Sequence, residues 1–80
     1  MKFSDLPDNS FVLYTYHYSD GAIIAKVGKI TDGILIPVYC SNGFEWAVST
    51  TVMDNNHRAN IISLVASLED AKHNFPEHFI

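Results

Sequence analysis

The sequence predicts an α+β fold: a four-stranded antiparallel meander followed by one C-terminal helix packed on one face of the sheet. Two observations carry this reading. Asp20-Gly21, Asp32-Gly33 and Asn42-Gly43 each separate runs of apolar, β-branched or aromatic residues. Such dipeptides favour two-residue hairpin turns, because Gly, Asn and Asp best tolerate the positive φ that those turns demand. After Asp54 the apolar period changes: Ile61, Leu64, Val65, Leu68, Ala71 and Phe75 recur at the spacing of an amphipathic helix.

The turns cut strands over 11–18, 22–30, 34–40 and 44–52, each of ordinary length. The helix is expected over 55–74. Asp54, Asn55 or Asn56 can cap its start by accepting from free backbone N–H groups. Pro76 disfavours helical geometry at Phe75 and so ends it, leaving a short tail from Glu77 to Ile80.

Two-residue turns fix register, which places Thr31 opposite Ile34 and Ser41 opposite Phe44. One face then carries Tyr14, Tyr16 and Tyr18 with Ala25, Val27, Val38, Cys40 and Ala47. Its small residues suit a close-lying helix, so the helix is assigned there. The other face carries Leu13, His17, Lys26, Tyr39, Phe44 and Trp46. A meander with one face in water should be polar on that side, and this one is not. Phe3, Leu6, Phe79 and Ile80 would cover part of it, and the remainder is a candidate interface. Pro37 has no N–H to give the ladder toward the fourth strand, which must break or bulge there. Gly28 lies opposite it, and the pair marks a bend that would curl the sheet toward a half-barrel.

Composition bounds the class. Eighty residues allow one domain, spanning 1–80. An apolar content of 48% with 18% charged residues excludes disorder. There is no run of apolar residues long enough to span a bilayer and no apolar core of a signal peptide near the start. The single Cys makes no internal disulfide and fits a reducing, cytoplasmic setting.

Catalytic chemistry finds little support. Cys40 with His57 lacks the third orienting group and oxyanion site of a thiolate nucleophile, and Cys40 reads as a small buried apolar residue. His73, Glu77 and His78 lack the i, i+4 histidine spacing of a zinc site. Asp20 and Asp32 serve turns, and no glycine-rich phosphate loop is present. No enzyme, cofactor or metal is therefore expected.

Aromatic residues are the remaining signal. Trp46, Tyr39, Phe44, Lys26 and His17 share the uncovered face and are the candidate partner-binding residues, because Trp and Tyr dominate interface hot spots. Single-stranded nucleic acid also stacks on sheet aromatics. It needs a basic track as well, and the net charge is −4. The expected function is a non-catalytic protein-binding module, an inhibitor or adaptor. A homodimeric structural subunit using the same face is the alternative. A small acidic chain without catalytic apparatus resembles the phage and mobile-element proteins that block host machinery, such as anti-CRISPR and antirestriction proteins. That resemblance implies a host protein as partner, and the hydropathy pattern gives no membrane partner.

Overall fold

Asp32 and Gly33 make the two-residue turn expected of them, with φ of 50° and 73°, and set Thr31 opposite Ile34. The computed structural model describes residues 2–40 and 46–79. Five strands form one open antiparallel sheet: β1 (Phe11–His17), β2 (Ile23–Thr31), β3 (Ile34–Cys40), β4 (Val48–Ser49) and β5 (Ala59–Val65), in the order β4-β3-β2-β1-β5. Two short helices, α1 (Thr50–Asp54) and α2 (Leu68–Asn74), accompany 3₁₀ turns at Phe3–Asp5 and Pro76–His78. The α+β class and the C-terminal helix stand as expected, and the sheet has five strands in place of four. No helix among the described residues is long and apolar enough to cross a membrane.

The helix expected over 55–74 begins only at Leu68. The first half of that segment is β5, along which half-buried and exposed residues alternate. Its register against β1 shifts between Leu13 and Tyr14, making Ile62 an extra residue. That bulge takes the apolar side chains out of strict period two, so Ile61, Leu64 and Val65 mimic helical spacing. The helix starts instead at Ser67, whose hydroxyl accepts the Asp70 N–H at 3.1 Å. The Asp70 carboxylate reaches back to the Ala66 N–H at 3.0 Å, a reciprocal cap.

The strand expected over 44–52 is likewise shorter. Only Val48 and Ser49 pair, with Leu35 and Ile34, and α1 follows at once. The Asn42-Gly43 turn and Phe44 lie outside the described residues. Thr50, Thr51 and Val52 are strand-favouring residues, and local anchors override that preference. The Ser49 hydroxyl caps the Thr51 N–H at 3.2 Å. The Thr50 N–H and hydroxyl both donate to the Gly33 carbonyl, at 2.9 and 3.1 Å.

The first hairpin differs by one residue. Its loop is Ser19-Asp20-Gly21, closed by Tyr18 N–H to Ala22 O at 2.8 Å and Gly21 N–H to Tyr18 O at 3.0 Å. Gly21 takes φ 91°, as the left-handed residue of a three-residue loop must. The extra loop residue turns β2 over relative to β1. Lys26 therefore stands opposite Tyr14, and Ile24 opposite Tyr16. Gly28 does face Pro37, and the β2–β3 register shifts beside them, making Val38 the extra residue. A Cβ on Gly28 would sit 2.5 Å from Leu35 Cδ1 and 3.3 Å from the Ile36 carbonyl oxygen, so the bend needs glycine.

Both faces of the sheet are covered, each by a different end of the chain. On one, Val12, Tyr14, Ile30 and Leu35 pack with Phe3 and Leu6 of the N-terminal segment and Met53 of α1. On the other, Leu13 and Val27 pack with Ala71 of α2, and Tyr39, Phe75 and Phe79 close the margin.

Asp54 ties the N-terminal segment to α1. Its carboxylate accepts the Phe3 N–H at 2.6 Å and the Ser4 N–H at 3.2 Å, satisfying the first free donors of the 3₁₀ turn. Burial pushes this carboxyl up, but hydrogen bonds from Ser4 and Phe3, with Lys2 nearby, outweigh it and hold the group below its ordinary 3.8. A depressed carboxylate stabilises above its unfolded value and loses that contribution as pH falls through the folded one. Asp54→Asn is therefore expected to cost about 1 kcal/mol at neutral pH. That cost should shrink as pH falls through the folded Asp54 value, which lies below 3.8. Urea titrations of both proteins at pH 7 and at about pH 2 check it, and an undiminished gap in acid would refute the clamp.

Candidate functional site

β1 sends every second side chain to the N-terminal face, so Tyr14 and Tyr16 line up there with Tyr18 just beyond the strand. The one-residue shift of the first hairpin brings Lys26 beneath them. Its ammonium lies 4.8 Å from the Tyr16 ring centre and 5.3 Å from that of Tyr18, and the two rings are 4.8 Å apart. Lys26 is only 3% exposed. An ammonium so far from water needs compensation, and two π faces supply part of it.

The turn between α1 and β5 forms the opposite wall. Asn56 Nδ2 donates to the Tyr16 hydroxyl at 3.0 Å, while its Oδ1 accepts the Arg58 N–H at 3.1 Å. Arg58 is held against the end of β1: its carbonyl accepts the His17 N–H at 2.9 Å and its Nη1 donates to the His17 carbonyl at 3.4 Å. Met53, Val48 and Val52 add apolar surface. Together these groups enclose a cavity of about 520 Å³ with Trp46 at its mouth. Trp46 is 77% exposed and Val52 56%.

The described lining includes Lys26 and Arg58 and no acidic side chain, although the chain has nine acidic residues against five basic ones. The walls of the recess offer aromatic faces, hydroxyls and an amide.

The expected partner-binding residues divide. Trp46 and Lys26 line this cavity. Tyr39 lies on the opposite face, its ring 5.3 Å from that of Phe79 and under the Lys72 ammonium at 5.6 Å. His17 is exposed at the end of β1, on the side of the strand that Leu13 shares. Phe44 lies outside the described residues. Tyr16, Tyr18, Asn56 and Arg58 join the site without having been singled out for it. The alternation Tyr14-x-Tyr16-x-Tyr18 is the visible signal for the two tyrosines, and Asn56 and Arg58 have none.

Cys40 and His57 are not brought together. Cys40 ends β3 and His57 precedes β5, with β2 and β1 between those strands, a separation of roughly 14 Å at strand spacing. In the tail, His78 Nε2 is 3.8 Å from the Glu77 carboxylate. No group of three His, Cys, Asp or Glu placed to hold a metal ion occurs among the described residues. No family model, curated protein or solved structure matches the chain.

Proposed function

We propose that the chain is a non-catalytic protein-binding module, an inhibitor or adaptor, whose partner seats on the mouth of the tyrosine-walled cavity. The observation behind this is Trp46, 77% exposed at the mouth of a recess of about 520 Å³. A tryptophan buries 150–250 Å² when covered, worth roughly 4–6 kcal/mol before the costs of association. The partner it suits presents an apolar side chain to Trp46 and Val52 and an acidic one toward Arg58.

The test is affinity capture with the tagged chain from a nuclease-treated bacterial lysate, followed by calorimetry on the purified partner. Trp46→Ala should weaken binding by more than about 2 kcal/mol, or about 30-fold. Its unfolding midpoint should stay within about 0.5 kcal/mol of the parent, as for other exposed positions. A partner bound equally by Trp46→Ala would refute the reading. A variant that loses its cooperative fold would make Trp46 a structural residue.

A further inference from the structure

We infer that β5 is a dimerisation edge, to which a second copy of this chain adds its own β5 antiparallel about a two-fold axis. This surface lies apart from the cavity and does not depend on it. Among the described strands, β5 is the last of the sheet and has only β1 beside it. Seven residues long, it directs alternate N–H and C=O groups outward, where an added strand can bond them.

Protected edges carry lysine, proline, inward charge or a bulge. Ala59-Asn60-Ile61-Ile62-Ser63-Leu64-Val65 has only the bulge at Ile62, with no lysine or proline, and no charged residue occurs from Ala59 through Leu68. Ile62 and Leu64 are 39% and 42% exposed along it.

The absence of charge also selects the occupant. Two copies, each with a net charge of −4, repel one another over most approaches. Antiparallel β5–β5 pairing sets no like charges opposite each other in any register, so an uncharged seam is where a second copy meets least resistance. The other end of the sheet offers β4, two residues long, and the part of β3 beyond its pairing with β4, where Pro37 has no N–H to give an added strand. A two-fold pair at β5 closes and does not propagate into a filament. An interface built on one strand is small, and its association is roughly micromolar.

Sedimentation of the full chain over about 1–300 µM tests this, with Ile62→Lys, Leu64→Lys and Trp46→Ala run alongside. The expected result is a concentration-dependent dimer that either lysine weakens at least tenfold and that Trp46→Ala leaves in place. A monomer at every concentration overturns the inference. So does a dimer that survives both lysines, or one abolished by Trp46→Ala, which would assign self-association to the cavity face. Amide exchange on the unmodified chain decides the case without any substitution. The β5 amides should exchange more slowly at high concentration than at low, and equal rates overturn the proposal.

Discussion

Leu13→Ala is expected to remove about 3–5 kcal/mol of stability. The side chain is fully buried, at 0% exposure, in the middle of β1. That strand is hydrogen-bonded to neighbours on both edges, so its backbone cannot shift to close a cavity. Val27 and Ala71 enclose the leucine from β2 and α2, and none of the three has slack. Lost transfer energy and an unrelaxed void therefore add. An 80-residue chain has only about 4–12 kcal/mol in total, so the variant should sit near its unfolding threshold at room temperature. Ile23→Ala is the matched control, because Ile23 is 59% exposed and its truncation should register within about 0.5 kcal/mol. Urea denaturation of the pair measures the difference. Equal midpoints would mean that α2 does not hold Leu13 as described.

The hairpins show how much of this fold was legible in the residues, and where legibility stopped. Asp32-Gly33 adopts the turn its dipeptide favours, and the pairing around it follows. Asp20-Gly21 uses the same two residue types in a three-residue loop, with Gly21 as the left-handed residue. Nothing in the dipeptide separates the two outcomes, yet one residue of register moves a whole strand's side chains to the other face. That slip explains why Lys26, expected beside Tyr39, instead lies under Tyr16 and Tyr18. The covering of both faces was half legible: Phe3, Leu6 and Phe79 do cover sheet, but on opposite sides.

The segment after Asp54 was harder for a different reason. A bulge at Ile62 hides the alternation of β5, and the helical spacing that it leaves behind is an accident of one inserted residue. The competing signal was present at Ser67-Leu68-Glu69-Asp70, a start pattern in the middle of a supposed helix. The same helical spacing conceals half of the cavity, since Asn56 and Arg58 belong to the turn that leads into β5. Trp46 and Lys26 were readable as individual residues. Their enclosure by tyrosines depends on long-range pairing, which spacing does not encode.

Phe3→Ala is expected to cost about 3–4 kcal/mol and to reach the cavity without touching it. Phe3 is 3% exposed, and its ring meets that of Tyr14 edge to face at 5.4 Å and 89°. It packs in the core that also holds Met53. Tyr14 and Met53 are in turn lining residues of the cavity. Truncating Phe3 unseats the N-terminal turn from Asp54 and removes the support beneath that lining, so the aromatic walls lose their fixed spacing. Leu13→Ala works on the opposite core and should leave the cavity intact for as long as the chain stays folded. Tryptophan fluorescence, with Trp46 as the sole indole, and far-UV circular dichroism distinguish the two. In urea, Phe3→Ala should shift the fluorescence transition ahead of the circular-dichroism transition, because local opening precedes global unfolding. Leu13→Ala should shift both together. If the two probes stay coincident in Phe3→Ala, the N-terminal turn unfolds only with the whole sheet, and its link to the cavity would have to be abandoned.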